Sequence, residues 1–267
     1  MSKGIIILAQ NNTTTDYVAC ARLLAKSIRK TNPTLPISLL TDIVIDDDHF
    51  DQIIEFPHMD RSTDEWKLVN DWQVYDASPY DETFKIESDV LITRNIDSWW
   101  EACANRDLAI AHGCVNYKNQ PSHVRDYRLI FDKNDLPDIY NGITYFKKGK
   151  VAESFFGTVR NIFEKWDNFK TILRYCPDNE IATTDVVYAI ATILHGEEQC
   201  IIPSAINPLK WAHMKPRMSN IVSDDWTKEL FFEILADGQM KICNYSQFYP
   251  VHYVHKSLVN TFSPYYD

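Results

Sequence analysis

Two carboxylates at the end of an apolar run are the side chains of this sequence whose types and spacing most favour chemistry. Residues 84–92 predict a buried strand, and Glu87 and Asp89 stand two positions apart within it. Side chains at i and i+2 of an extended chain lie on the same face, so both carboxylates can contact one ligand. Two converging negative charges in a core require a positive partner. We therefore expect a site for Mn²⁺ or Mg²⁺ carrying a phosphate; the alternative is a polar strand end that faces water.

Length and composition limit the classes of protein that this chain can belong to. It has 267 residues, of which 45% are hydrophobic and 13% aromatic, enough for one large α/β domain with a substantial core. The formal net charge of -10 argues against a broad basic surface for nucleic acid, although a local basic patch is compatible with it.

Cysteine usage and the first residues bear on the compartment. The six cysteines lie far apart and include no CxxC pair, which indicates reduced thiols rather than a zinc or redox site. The apolar run at residues 5–9 is too short for a signal peptide or a membrane span. We therefore expect a cytoplasmic protein with no membrane span.

The segments that would position the carboxylates alternate between strand and helix patterns. A strand at 4–9, a helix at 17–30 and a strand at 37–40 predict a βαβ beginning. Later segments predict strands at 53–56, 108–111 and 139–146, a strand ending at 200–203, and helices at 61–75, 152–166 and 184–194. Residues 112–137 are less regular and predict a mobile segment over the site. Gly142 predicts a bulge or a close approach to the backbone.

The loop after the first strand contains neither a Gly-x-Gly-x-x-Gly nor a P-loop pattern, which argues against a dinucleotide-binding dehydrogenase and a P-loop enzyme. Polar residues instead follow the first two strands, at Asn11, Asn12 and Asp42. Open α/β sheets bind ligands at the carboxyl ends of their strands, so these side chains could hold a base and ribose. Ordinary turn and cap roles are the alternative.

The order of these elements resembles the GT-A class of nucleotide-sugar glycosyltransferases of the glycogenin and galactosyltransferase type. The segments that carry the resemblance read ILAQNN, SIRKTNP, ISLLTD, SPYDETFKIESDVLITRNID, YNGITYFKK and VHYVHK. The resemblance implies an α/β GT-A fold, with a Rossmann-like, mostly parallel central sheet flanked by helices and a variable C-terminal acceptor-side segment. It implies one domain over 1–267, with a nucleotide-binding half at 1–110 and a sugar and acceptor half at 111–267 that ends in a metal-site segment.

The same resemblance implies a set of site residues. Glu87 and Asp89 would bind the divalent metal, Mn²⁺ or Mg²⁺, together with His252 or His255, between which the sequence does not choose. The donor contacts would be Ala9, Asn11, Tyr17, Asp42, Lys67, Ser88, Asn141, Gly142 and Lys256. Tyr17 as a helix core residue and Lys67 as an exposed lysine are the alternatives.

Asp185 is the acid that we predict near the acceptor. It would serve as base in an inverting reaction or stabilise the cationic sugar in a retaining one. The triplet Thr183, Thr184 and Asp185 departs from the acid-Gln-acid triplet of retaining members, and Glu87 replaces the first acid of Asp-x-Asp. A first-turn helix acid is the alternative for Asp185.

The acid pair together with this resemblance implies a metal-dependent transferase that moves a sugar from a UDP-sugar to an acceptor hydroxyl. Resemblance to bacteriophage glycosyltransferases suggests a hydroxymethylated pyrimidine in DNA as acceptor and the host cytoplasm as the location. The cluster His213, Lys215 and Arg217 could then meet a phosphate or lie on a surface loop. A glycan or protein acceptor, a nucleotidyltransferase and a non-catalytic sugar-nucleotide-binding protein are the alternatives, and the oligomeric state is left open.

Overall fold

The computed structural model describes residues 1–58, 67–214 and 228–267. Its strands are β1 (Lys3–Ala9), β2 (Ile37–Thr41), β3 (Gln52–Glu55), β4 (Glu82–Glu87), β5 (Val90–Leu91), β6 (Leu108–His112), β7 (Cys114–Val115), β8 (Pro121–Ser122), β9 (Ile139–Lys147), β10 (Ala212–Met214), β11 (Phe232–Ile234), β12 (Met240–Ile242), β13 (Tyr245–Ser246) and β14 (Val251–Tyr253). Its α-helices are α1 (Tyr17–Thr31), α2 (Val74–Ala77), α3 (Asp97–Cys103), α4 (Leu129–Asn134), α5 (Lys150–Glu164), α6 (Trp166–Ile172), α7 (Thr184–His195), α8 (Glu197–Cys200) and α9 (Leu258–Phe262), and the 3-10 segments are Lys67–Gln73, Val124–Asp126 and Ser263–Tyr265.

A six-stranded sheet in the order β3-β2-β1-β4-β9-β6 forms the centre of the protein. Strands β1 to β4 pair in parallel, whereas β9 runs antiparallel to both β4 and β6. The apolar run Ile5, Ile6 and Ile7 of β1 is fully buried, as expected for a strand covered on both faces. This mixed α/β architecture with a mostly parallel sheet confirms the predicted fold class.

Helix α1 forms where the sequence predicts it because both of its ends carry the expected signals. Asp16 caps the first turn by accepting a hydrogen bond of 3.0 Å from the backbone of Ala19. Val18, Leu24 and Ile28 recur at helical spacing and are buried in the core. The helix therefore covers β1 and fixes the loop between them at the carboxyl end of the sheet.

The predicted single strand over residues 84–92 is wrong in one respect. Strand β4 ends at Glu87, Ser88 and Asp89 form a turn, and the chain resumes as β5. The turn was not visible in the sequence because Val90 and Leu91 continue the apolar run that begins with Phe84 and Ile86. Glu87 and Asp89 are therefore brought together by a turn and not by the pleat of one strand.

A second sheet, in the order β5-β14-β10-β7-β8, brings the end of the chain to this turn. Strand β14 pairs antiparallel with β5, with His252 opposite Val90, and parallel with β10, with His252 beside His213. The C-terminal third also contributes a small antiparallel sheet of β11, β12 and β13. The short strand β5 therefore connects the acid pair to the VHYVHK segment.

Three other predicted segments differ from the observed ones. Residues 200–203 do not end a regular strand, because α8 runs to Cys200 and only Ile201 makes an isolated parallel bridge, to Ile110. Region 112–137 contains β7, β8, a 3-10 turn and α4 rather than irregular chain alone. Of the predicted helix at 61–75, residues 61–66 lie outside the described residues, and the remainder is a 3-10 segment leading into α2.

Gly142 marks a close approach of two parts of the chain. A Cβ atom at this position would lie 1.7 Å from the ring of Trp211, so any larger residue would require β9 or Trp211 to move. Trp211 is fully buried and immediately precedes β10. Gly142 therefore allows the second sheet to pack against the central one.

Two further sequence-based expectations concern membranes and thiols. In the described parts of the chain, no helix has the length and apolar character needed to cross a membrane. No disulfide joins the cysteines, all six of which lie in those parts.

Candidate active site

A cavity of about 270 Å³ opens at the carboxyl ends of β1 and β4. The sheet order reverses here, because β2 and β3 follow on one side of β1 and β4 pairs on the other. Such a reversal leaves a crevice in which open α/β sheets bind ligands. The cavity is lined by Leu8, Gln10, Asn12, Tyr17, Leu68, Asp71, Lys85, Glu87, Ser88, Asp89, Arg128, Tyr140, Thr183, Thr184 and Asp185.

Glu87, Asp89 and His252 form a group of possible metal ligands beside this cavity. One ligand atom from each residue lies within 4.8 Å of the others. His252 Nε2 is 2.9 Å from Asp89 Oδ2, and the ammonium group of Lys256 donates to the same oxygen. Among the described residues, His255 is not part of this group. The pairing of β14 with β5 explains the choice, since it directs His252 toward the turn after β4, whereas His255 follows the strand end.

The two acids of the group differ in electrostatic environment. Burial raises the pKa of Glu87 to about 8, since the charge of Lys85 only partly offsets the lost hydration and Asp89 adds repulsion. Burial also disfavours ionised Asp89, but the neighbouring His252 and Lys256 outweigh it and hold its pKa well below the usual range. Burial would lower the pKa of Lys256, yet Asp89 raises it. Asp89 and Lys256 are therefore an ion pair, whereas Glu87 is a half-buried carboxyl group whose ionised form is stabilised only in part by Lys85.

A chain of hydrogen bonds leads from His252 away from the acids. His252 Nδ1 is 3.1 Å from His213 Nδ1, and His213 Nε2 is 2.9 Å from the hydroxyl oxygen of Tyr140. His213 is fully buried, so it belongs neither to a surface loop nor to a phosphate-binding patch, and that interpretation is wrong. Lys215 and Arg217, the other members of the predicted basic cluster, lie outside the described residues.

A second charged cluster forms the inner wall of the cavity. Lys85 Nζ lies 2.7 Å from Asp71 Oδ2 and donates to the backbone oxygen of Asn141 at 2.9 Å. Asp71 Oδ1 accepts hydrogen bonds from the hydroxyl of Tyr188 and, at 3.2 Å, from the side-chain amide of Asn141. The Asn141 amide oxygen in turn accepts from Thr144 at 3.0 Å. The side chain of Asn141, predicted to bind the donor sugar, thus bonds to protein groups and is fully buried.

Asp185 lies in the first turn of α7 and also lines the cavity. Its Oδ1 accepts a hydrogen bond of 3.0 Å from the backbone of Asn141, and its Oδ2 is 3.4 Å from Arg128 Nη1. Arg128 also contacts Glu180 at 2.9 Å and Thr183 at 3.0 Å. Asp185 is therefore both a first-turn acid of α7 and a residue of the cavity lining.

The residues predicted to bind the base and ribose make contacts with other protein groups or lie outside the cavity lining. Asn11 accepts a hydrogen bond of 3.0 Å from the backbone of Val18, which is a capping role for α1. Asp42 accepts one of 3.2 Å from the side-chain amide of Gln10. Ala9 is buried and lies outside the cavity lining.

The remaining predicted donor contacts do not all lie at the cavity. Tyr17 and Ser88 line the cavity, and Lys256 Nζ lies 5.8 Å from the centre of the Tyr17 ring. Burial raises the pKa of Tyr17. Gly142 faces Trp211 rather than the cavity. Lys67 opens a 3-10 segment, but its side chain is outside the described part of the structure.

Sequence reasoning missed five polar residues of the cavity lining, namely Gln10, Asp71, Lys85, Arg128 and Tyr140. One of them left a visible signal. Lys85 stands inside the apolar run of β4, where a charged side chain requires a buried partner. The others resemble ordinary helix, loop or strand residues in the sequence.

No protein-family model and no curated protein matches the sequence. Solved structures do match the fold. The galactosyltransferase LgtC, in complex with donor and acceptor sugar analogues, superposes with a TM-score of 0.56 at 12% identity, covering 98% of this chain and 95% of LgtC. Mouse xyloside xylosyltransferase 1, in its apo form, gives a TM-score of 0.53 at 9% identity, covering 96% of this chain and 98% of the mouse chain.

The glycosyltransferase GlyE of Streptococcus pneumoniae TIGR4 also matches, over 78% of this chain at 14% identity with a TM-score of 0.49. This chain spans about half of GlyE, 47% of its length. At these identities the similarity concerns the fold, and the full-length superposition on LgtC and the mouse enzyme shows that this chain has the GT-A glycosyltransferase fold.

Proposed function

We propose that this protein is a metal-dependent glycosyltransferase that moves a sugar from a UDP-sugar to an acceptor hydroxyl. One observation carries the proposal: Glu87, Asp89 and His252 offer ligand atoms within 4.8 Å of one another beside a cavity at the carboxyl ends of the parallel strands. Lys256 adds a positive charge at the same place. Such a group suits a ligand that combines a cation with a phosphate.

The donor set fits a divalent cation. Two carboxylates and one imidazole are suitable ligands for Mn²⁺. They also suit Mg²⁺, whose coordination shell water would complete. The raised pKa of Glu87 shows that burial disfavours its ionised form and that Lys85 offsets this only in part; a bound cation would favour the ionised carboxylate. When bound, the ion stabilises the negative charge that develops on the diphosphate leaving group.

The chain's own residues would bind and orient the donor around this point. Lys256 can contact diphosphate oxygens as a point charge while it stays within reach of Asp89. Tyr17 and Ser88, both at the cavity wall, would contact the nucleotide and its phosphates. Gln10 and Asp42, which follow β1 and β2 and bond to each other, would bind ribose or base. The first βαβ unit resembles the uridine-binding loop of the family, which favours UDP.

Asp185 would act on the acceptor side of the cavity. Its carboxylate is held at one oxygen by the Asn141 backbone and at the other by Arg128, so its orientation is restricted. A carboxylate held in this way can accept a proton from an attacking hydroxyl or stabilise a positively charged sugar. The acceptor hydroxyl belongs to a hydroxymethylated pyrimidine in DNA or to a glycan or protein. The net charge of -10 counts against binding to the phosphate backbone of DNA and so favours the glycan or protein acceptor.

A UDP-release screen across nucleotide sugars tests the proposal, with glucosylatable phage DNA and simple glycans offered in parallel. We expect UDP release that requires Mn²⁺ or Mg²⁺ and stops with a chelator. Asp89→Asn should stop release while the protein stays folded. Asp51→Asn, which alters a paired acid on the surface near Arg29, is the matched control and should keep full activity.

Three other outcomes would redirect the assignment. Full activity of Asp89→Asn would refute the metal-dependent transferase. Pyrophosphate release from a nucleoside triphosphate would indicate a nucleotidyltransferase. Binding of UDP and Mn²⁺ by calorimetry, with no UDP released from any UDP-sugar, would indicate a non-catalytic sugar-nucleotide-binding protein.

A further inference from the structure

His252 is the first member of a buried hydrogen-bonded chain whose other members, His213 and Tyr140, have no part in the proposed reaction. Its two links measure 3.1 Å between the Nδ1 atoms of the histidines and 2.9 Å from His213 Nε2 to the Tyr140 hydroxyl oxygen. All three side chains are buried. Polar groups in a core cost free energy unless they are satisfied, so three of them in series call for an explanation.

We propose that His213 and Tyr140 are positioning residues that present His252 to the cation through Nε2. The inference rests on the proposed metal-dependent function. The nitrogen through which a histidine binds a metal is set by the hydrogen bond that its other ring nitrogen makes. For His252 that other nitrogen is Nδ1, and its partner is His213.

The placement of ring hydrogens follows from the distances. A His252 ring that gives the lone pair of Nε2 to a cation carries its hydrogen on Nδ1, which faces His213 Nδ1 at 3.1 Å. His213 must then accept at Nδ1 and carry its own hydrogen on Nε2. That hydrogen is donated to the Tyr140 hydroxyl oxygen at 2.9 Å. In this arrangement Tyr140 accepts from His213 and His213 accepts from His252, so the chain supports the His252 tautomer that leaves Nε2 for the cation.

The fold holds the middle ring in place. His213 and His252 are register neighbours on the parallel strands β10 and β14, and their rings stack at 4.7 Å with an angle of 20°. Tyr127 stacks on His213 at 6.1 Å and 9°. The ring of Tyr140 packs against Trp211 at 4.1 Å, which keeps the hydroxyl in line with His213. Rotation of either imidazole would break these contacts.

Calorimetric titration of the full chain with Mn²⁺ alone tests this inference. His213→Phe keeps a ring but removes both links, and we expect Mn²⁺ to bind about 10- to 100-fold more weakly. Tyr140→Phe removes only the last link and should weaken binding less. His213→Asn keeps an amide oxygen that can accept from His252 Nδ1, so it should recover most of the affinity.

Tyr145→Phe is the matched control. Tyr145 lies on the same strand as Tyr140, is fully buried and also makes one hydroxyl hydrogen bond, 2.7 Å to Glu82, but it lies outside the cavity lining. It should lose some stability and no Mn²⁺ affinity. Circular dichroism of each metal-free variant establishes that it is folded before its affinity is compared.

Nitrogen NMR of histidine-labelled protein with Zn²⁺, a diamagnetic probe, gives a readout that a purely structural role would not produce. We expect coordination through His252 Nε2 and a hydrogen on His213 Nε2. Coordination through His252 Nδ1, or wild-type affinity in His213→Phe, would overturn the positioning role alone. A wild-type protein that binds no Mn²⁺ would instead overturn the metal-dependent function, so the two failures are distinguishable.

Discussion

Two buried aspartates of this chain, Asp71 and Asp89, each pair with a lysine, and both line the same cavity. The partners of Asp71 are Lys85, Tyr188 and Asn141, which come from the central sheet and from α7 beside it. Each of these contacts joins two groups of the protein framework. We call it the inner cluster.

The group around Asp89, which we call the outer cluster, has a different origin and composition. Its partners His252 and Lys256 come from the end of the chain, and a second acid, Glu87, lies within metal-ligand reach. The side chain of Lys256 is 24% exposed, whereas that of Lys85 is fully buried. The inner cluster is thus complete without a ligand, and the outer cluster has an acid that lacks full compensation. The same pair of residue types can therefore stabilise a fold in one place and bind a ligand in another.

The largest expected effect is a loss of UDP release when the outer cluster, and not the inner one, is changed. Asp89→Asn removes a charged ligand that supports leaving-group stabilisation worth several kcal/mol, so the rate of UDP release should fall by at least about 1,000-fold. Its melting temperature should fall only moderately, because Lys256, which loses its ion-pair partner, keeps contact with water. Initial-rate assays and thermal melts measure the two quantities, and a large fall in melting temperature would contradict the distinction.

Lys85→Met should affect stability most. It leaves Asp71 as a buried charge without its cation, which costs about 3–5 kcal/mol of unfolding free energy. Urea denaturation measures this loss. The double variant Lys85→Met with Asp71→Leu should regain most of it, since neither charge remains. A single variant as stable as the wild type would show that the inner cluster does not support the fold.

Lys256→Met should reduce activity by about 10- to 100-fold, because it removes one positive charge, worth roughly 1.4–3 kcal/mol at the diphosphate. The unfolding free energy should fall by less than in Lys85→Met, because His252 still contacts the Asp89 carboxylate at 2.9 Å. Lys26→Met, which alters a lysine paired with Asp267 away from the cavity, is the control and should keep full activity. Equal loss of stability in Lys256→Met and Lys85→Met would remove the contrast between the clusters.

The smallest effect concerns one hydrogen bond of the inner cluster. Tyr188→Phe removes the hydroxyl that donates to Asp71 and should lower the unfolding free energy by about 1.5 kcal/mol. UDP release should not change, because Asp71 keeps Lys85 and Asn141. A variant with normal stability and low activity would instead assign Tyr188 to substrate binding.

The sequence by itself determined the local part of this protein. The apolar run of β1, the cap and spacing of α1, and the acid pair after an apolar strand are all properties of neighbouring residues. Local propensity and periodicity act over a few residues, so these features could be predicted. The resemblance of several short segments to the GT-A class extended the prediction to the whole fold.

Only the tertiary structure decided which distant residues meet. His252 and His255 are equivalent in sequence, and the pairing of β14 with β5 places one of them at Asp89. His213 looks like part of a basic surface cluster, yet the register of β10 beside β14 buries it against His252. Asp71 meets Lys85 because a 3-10 segment packs beside β4, a contact that no spacing along the chain encodes. Strand register and packing are set by the sum of many weak contacts across the molecule. The partners of Asp71 and Asp89 could therefore not be predicted from the sequence.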